Sequence, residues 1–210
     1  MKIKKIEKYN LINYNLLKSR SYLGLQKLHF YYLNSSYIIG FRNNFSLFNL
    51  RQTKNFIKKS LLIIYKFHYY NKKILFIGFP SFTTDNINYN LLFNITDHYH
   101  VPYDNWINNF LTNYKQNMEL KEKLNNKKLK IIIGIKQIPD LIVVYNQTKQ
   151  TKIVKEILSN KIPLISFMNS SSNLSQLEYK ILAGFHYLKA KKFIYFLLKS
   201  ILTLSKFKKI

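Results

Sequence analysis

Three short, almost wholly apolar runs constrain this chain more than any other feature: Ile74 to Phe79, Asp140 to Asn146 and Ile162 to Met168. A strand with one wet face alternates apolar and polar residues. A run without alternation belongs to a strand buried on both sides, as in a parallel sheet covered by helices. Between the second and third runs lies Thr148 to Asn160, where Ile153, Val154, Ile157 and Leu158 mark one helical face. Strand, helix and strand at that spacing make a right-handed crossover.

The rest of the chain fits around this unit. Tyr37–Phe41 and Phe45–Phe48 read as two strands joined by a turn at Asn43-Asn44. Leu50 to Tyr70 places Phe56, Ile57, Ser60, Leu61, Ile64 and Phe67 on an inner stripe, with Lys54, Lys58, Lys59 and Lys66 between them. That is a helix with a basic face, for which Thr53 is the expected N-cap. Helices are also expected over Asp85–His98 and Asn108–Asn126, and a long basic amphipathic one over Phe185–Lys206. Ile131 to Gly134 is strand or helix end. The elements alternate, so the fold class is α/β, a mostly parallel sheet flanked by helices. No repeat or internal linker stands out. The expected organisation is a basic extension over 1–20, one domain over 21–205 and a basic tail over 206–210.

The strand-end loops, where α/β proteins bind ligands, carry no catalytic constellation. Gly78-Phe79-Pro80-Ser81 is neither a dinucleotide turn nor a phosphate loop. Met168 to Asn173 is serine-rich but lacks a glycine elbow and reads as a solvated loop. His98 and His100 would share a side of a strand and could begin a metal site, but nothing completes it; a turn or helix-end role is the simpler reading. Asp140, after Pro139, reads as a turn or capping residue. There is no cysteine, which excludes disulfides, zinc ribbons and thiol chemistry. No enzyme activity, cofactor or metal is expected.

What remains is binding. The 34 Lys+Arg against 9 Asp+Glu give a formal charge of +25 on a chain that is 47% hydrophobic. A foldable body so charged self-repels unless a polyanion screens it, which points to nucleic acid or an anionic membrane. Lysines interleaved with Tyr, Phe and Asn supply charge, stacking surfaces and amide hydrogen bonds, as RNA recognition requires. No window reaches the roughly 18 apolar residues of a spanning helix, and Met1–Tyr9 has the look of neither a secretory signal nor an organellar presequence. Alanine occurs only at Ala183 and Ala190 and arginine only at Arg20, Arg42 and Arg51, while Asn, Lys, Ile, Tyr and Phe abound. These preferences follow A/T-rich codons and indicate a gene in an A/T-rich genome, an organelle's or an A/T-biased organism's.

An ordered set of motifs carries a family likeness. Ser36-Tyr37-Ile38-Ile39-Gly40-Phe41-Arg42-Asn43, then Leu47 to Thr53, Lys73 to Gly78, Pro102-Tyr103 with Trp106, Leu111-Thr112-Asn113, Ile138 to Val144 and Ile162 to Ile165 resemble, in order and spacing, the motifs of the bacterial-type ribosomal protein S2 family. The likeness runs from about Ser19 to Leu202. The chain departs from the pattern where the family has His-Phe-Gly-His (here Tyr22-Leu23-Gly24-Leu25), at Phe79-Pro80 in place of a lysine, at Asn105 in place of an arginine, and at Asn108-Asn109 in place of two glycines. The family's helical hairpin is cut to a remnant at about 114–128.

The resemblance implies a flavodoxin-like sheet domain, no enzymatic activity, and a place where head meets body on the solvent side of the small subunit, against ribosomal RNA and neighbouring proteins. With the codon-like bias and the absence of a presequence, it suggests a mitochondrial ribosome and a gene in the organelle. Arg20, Lys27, Arg42, Arg51, Lys54 and Lys58 flank the best-matching stretch and are the expected RNA contacts. Two rival readings are a peripheral membrane protein using the basic helix at Phe185–Lys206 and a small α/β enzyme on a phosphorylated substrate. The second would need a phosphate loop or acid–base pair that the sequence lacks.

Overall fold

The computed structural model describes residues 14–29, 31–79, 96–119, 134–145, 151–171, 177, 179–184 and 187–207. Among these, the strands are β1 (Leu23–Gln26), β2 (Ile38–Arg42), β3 (Phe45–Phe48), β4 (Ile74–Ile77), β5 (Tyr99–Val101), β6 (Leu141–Tyr145), β7 (Leu164–Met168) and β8 (Tyr179–Leu182). The α-helices are α1 (Leu50–Tyr69), α2 (Tyr114–Glu119), α3 (Thr151–Ser159) and α4 (Leu188–Phe207), and residues 14–18 are also helical. Strands β4 to β8 form a parallel sheet in the order β5-β4-β6-β7-β8. This is the doubly wound order of flavodoxin-like folds, with its topological switch between β4 and β6.

The three apolar runs occupy the sheet centre, and β4, β6 and β7 are buried at every position. Successive side chains point to opposite faces. Ile74, Phe76, Leu141, Val143, Ile165 and Phe167 meet α1 and α4 through Ile57, Ile64, Ile194, Leu198 and Leu202. On the other face, Leu75, Ile77, Ile142, Val144, Leu164 and Met168 meet Ile153, Val154 and Ile157 of α3, together with Phe110 and Leu111. Leu16, at the end of the lead-in, lies in the first of these clusters.

Helix α1 starts one turn earlier than its expected cap. Asn49, in extended conformation, accepts from the N–H groups of Arg51 (3.1 Å) and Gln52 (3.4 Å) through Oδ1. Thr53 is instead turned inward, and its hydroxyl donates to the Leu182 carbonyl at the end of β8 (3.0 Å). Asn outranks Thr at the N-cap, which is the competing preference that won. Asp140, read as a turn or capping residue, lies at a bend before β6 and bonds across to another strand entry: its carboxylate accepts from the Lys73 N–H (2.8 Å), holding the entries to β4 and β6 together, and lies 3.5 Å from the Lys72 ammonium.

A chain of imidazoles ties α1, β4 and α4 behind the sheet. The Ile74 N–H faces His98 Nδ1 (3.4 Å), so the His98 proton sits on Nε2 and is donated to His68 Nδ1 (2.9 Å). His68 Nε2–H then donates to the Leu202 carbonyl (3.1 Å). His100 turns elsewhere, toward the Phe79 carbonyl (3.1 Å). The two histidines thus serve separate structural bonds, and among the described residues no group of three metal-ligating side chains forms.

The helix expected over Asn108–Asn126 begins only at Tyr114, and residues 120–133 lie outside the described set. Residues 108–113 are turns because a carboxylate claims their N–H groups. Buried Glu156 of α3 accepts from Leu111 (2.7 Å), Asn109 (3.0 Å) and Thr112 (3.4 Å). The helix expected over Asp85–His98 lies outside the described residues except for its last three, which form a turn with Asp97 at φ 55°.

Strands β1, β3 and β2 form a separate antiparallel sheet in that order. The β2–β3 turn is Asn43-Asn44, with φ of 47° and 63°, the two positive values a tight two-residue hairpin needs. Phe48 of β3 enters the second core cluster.

Replacing Glu156 by Ala leaves three N–H groups of residues 109–112 without their acceptor. It is expected to lower the unfolding free energy by about 2–3 kcal/mol, measured by urea denaturation. Glu156→Gln keeps an acceptor and should lose clearly less.

Candidate nucleic-acid interface

The place where a doubly wound sheet normally receives a ligand is the crevice beyond the strand ends at the switch point. Here, among the described residues, the chain fills it. Gly78 follows β4 with φ 75°, and a Cβ there would collide with the ring of Tyr103. That ring lies across the crevice, and its hydroxyl donates to the Tyr145 carbonyl at the end of β6. Burial raises the Tyr103 phenol well above its ordinary value, so it remains a neutral donor. Phe79, on the other face of the sheet, packs against Tyr145 (centroids 5.1 Å) and Phe167 (5.7 Å).

The β7 and β8 ends are closed by the antiparallel sheet. The loop after β7, expected to be solvated, begins with two buried residues, Asn169 and Ser170. Ser170 accepts the Leu25 N–H of β1 on its hydroxyl (2.9 Å), and the Asn34 amide (2.9 Å) and the Tyr31 N–H (3.0 Å) on its carbonyl. Ser170 is buried here because it supplies acceptors that β1 and the segment of Tyr31 and Asn34 need. Gly184 after β8 donates to the Ser21 carbonyl (2.8 Å), and a Cβ at Gly184 would strike the Leu23 carbonyl. Among the described residues, the strand ends thus hold bonds between parts of this chain.

Positive charge lies elsewhere. No Asp or Glu occurs between Glu7 and Asp85, so β1, β2, β3 and α1 carry cations alone. Lys27 and Arg42 are exposed at the same end of the antiparallel sheet, where Gln26, Phe45 and Arg42 align across its three strands. The Lys27 ammonium lies 5.5 Å from the centre of the Phe41 ring. Arg51 and Lys58 are exposed on α1, seven residues apart and therefore on one face. Arg20 is exposed in a left-handed turn (φ 57°) beside β8's end. Lys54 is set apart from these five, on the inner side of α1 with 3% of its surface exposed. Sequence spacing missed this because Lys54 adjoins the stripe of Thr53, Ile57 and Ser60.

Four further residues beside the exposed cations were not among the expected RNA contacts. Lys59 and Lys66 extend the outer face of α1, and exposed Tyr32 and Phe41 lie on or beside the antiparallel sheet. The alternation in β2 could have marked Phe41, but the register shift between Ile38 and Gly40 breaks it. The long basic helix α4 places its apolar stripe, Ala190, Ile194, Leu198 and Leu202, in the core. That stripe is therefore not presented to a membrane surface. Among the described residues no helix is long and apolar enough to cross one.

Comparison with known proteins agrees with the motifs. The family model described as Ribosomal protein S2 matches residues 16–128 and 115–203. The chain is similar to the small ribosomal subunit protein uS2 of Carsonella ruddii (strain PV), with 28% identity over 196 residues, covering 79% of this chain and 87% of the relative. It is also similar to the small ribosomal subunit protein uS2c of Mesostigma viride, with 25% identity over 166 residues, covering 65% of this chain and 72% of the relative.

Removing the hydroxyl that stoppers the crevice, in Tyr103→Phe, leaves the Tyr145 carbonyl without that donor and should cost about 1–2 kcal/mol of stability by chemical denaturation. Acid should weaken the fold through His100, whose pKa is lowered by burial and only partly restored by its bond to Phe79. The unfolded chain binds that proton first. The contribution is therefore complete above about pH 6.5 and declines as pH falls toward the lowered folded value. Unfolding followed at several pH values should show this slope, reduced in His100→Gln.

Proposed function

The chain belongs to the ribosomal protein S2 family, which consists of structural components of the small ribosomal subunit and not of enzymes, and from that premise we propose a structural constituent of a mitochondrial small subunit. In this reading it binds ribosomal RNA and neighbouring proteins at the junction of head and body, supports translation in the matrix, and is encoded in the organelle. The observation that carries the RNA assignment is the acid-free segment from β1 to α1, which places Lys27, Arg42, Arg51 and Lys58 on the surface. Arg20 joins them. Lys54, the sixth residue expected to contact RNA, would act from inside α1, by holding the helix that bears Arg51 and Lys58. The A/T-type composition supports an organellar genome; neither relative's name designates a mitochondrial protein.

The mechanism follows from the geometry. A sheet buried on both faces is a stiff plate, and the cations sit on elements bonded to its edge and ends. Each lysine or arginine that meets a phosphate releases condensed counterions, which supplies affinity without base reading. The proposed organisation is one domain over 21–205, onto which the end of the 1–20 extension packs through Leu16, with a basic tail over 206–210. The filled crevice and the buried stripe of α4 are what disfavour the phosphate-enzyme and membrane readings.

A sucrose gradient of organelle lysate, with the protein followed by mass spectrometry at high and low magnesium, tests the assignment. Co-migration with the mitochondrial small subunit is expected at both settings; protein left at the top of the gradient would reject it. Arg42→Glu with Arg51→Glu should reduce incorporation roughly tenfold or more and lower the salt slope of RNA binding by about 2. Unchanged incorporation would remove both residues from the contact set.

A further inference from the structure

Gly40 lies inside β2, where none of the described residues requires a glycine. A glycine weakens a strand and marks a bulge, a bend or the close approach of another backbone. Three other glycines of the chain each have their cause within the fold. A Cβ at Gly24 would meet the Ser46 hydroxyl, one at Gly184 the Leu23 carbonyl, and Gly78 carries a positive φ beneath Tyr103. Among the described residues a Cβ at Gly40 would meet nothing within 4 Å, and its φ lies outside the left-handed region. The register does shift between Ile38 and Gly40, but the bulge that requires glycine uses the left-handed conformation, which Gly40 does not adopt.

The surroundings indicate what fills that space. Leu23, Leu47 and Gly40 align across the three strands, so this row steps down at the β2 side where the side chain ends. Two positions along the same strand pair, Arg42 pairs with Phe45 and so shares the face of Gly40, whereas the Lys27 ammonium lies by the Phe41 ring, on the opposite face. The exposed turn Asn43-Asn44 adds two side-chain amides. With no acid in the chain between Glu7 and Asp85, this shelf complements an anion that must approach closely along its backbone.

We propose that the shelf at Gly40 seats the sugar–phosphate backbone of an rRNA strand, with Arg42 on a flanking phosphate and the Asn43-Asn44 amides at the strand's edge. This rests on the ribosomal reading above and adds to it a steric determinant, an absent side chain. A protein segment would be the occupant suggested by Ile39, 72% exposed beside it, but Arg42 and the amides around the shelf favour RNA.

The test uses the full-length chain and its Gly40→Ala and Gly40→Val variants. Unfolding midpoints are measured, with binding to an in vitro transcript of the small-subunit rRNA from the same genome and incorporation into subunits on gradients. Valine suits a strand with open space above it, so the midpoint should stay level or rise. Transcript affinity should fall roughly tenfold for Gly40→Val, with Gly40→Ala between. A Gly40→Val chain that binds the transcript as tightly as wild type overturns the proposal. If it binds the transcript normally but is lost from subunits, a protein occupies the shelf and the RNA assignment fails. If the wild-type chain neither binds the transcript nor enters subunits, the ribosomal reading itself falls, and this proposal with it.

Discussion

Every residue of β4, β6 and β7 is buried, and that double burial governs the rest of the molecule. Strands with no wet face satisfy their backbone groups only through neighbouring strands, and they require an apolar layer on each side. The first layer is α1 with α4, the second α3 with the segment around Phe110. Both layers bear lysine on their outer sides, so the same arrangement that buries the apolar residues displays the charge. Core and surface are two readings of one helical periodicity.

The sheet was legible because continuous apolar runs have one structural interpretation, and α1, α3 and α4 because their apolar spacing repeats every three to four residues. The motifs gave the family. What stayed hidden was settled by polar bonds between residues far apart in sequence. Nothing local to Asn108–Asn113 reveals that Glu156, more than forty residues on, takes their N–H groups, so a helix was read there. The Met168–Asn173 loop looks solvated by composition, yet Ser170 is enclosed because β1 needs an acceptor. Lys54 illustrates the same limit on a helix: a cation one position from the inner stripe is buried or exposed according to what packs against it.

Few acids make each one's placement consequential. Of 9 in the whole chain, Glu156 and Asp140 are bound to backbone N–H groups at element ends, where a carboxylate fixes geometry. Charge-assisted bonds of this kind are the strong ones. The outer face of α1 keeps its cations without acidic neighbours along the helix, which makes it repel other copies of itself and attract a polyanion at long range.

The bond from Leu25 to Ser170 spans 145 residues, and Gly184 closes against β1 from still farther along. A ribosome making this chain therefore releases the antiparallel sheet long before the surface that supports it exists. Strands β1 to β3 wait, paired only with one another, until β7 and β8 emerge, and a three-stranded sheet without a covered face is marginal in water. Vectorial synthesis at several residues per second thus exposes the basic hairpin first and anchors it last. During that interval the segment that carries the charge is available to a chaperone, a protease or a nascent RNA before it is rigid, and its maturation is timed by the chain's final quarter.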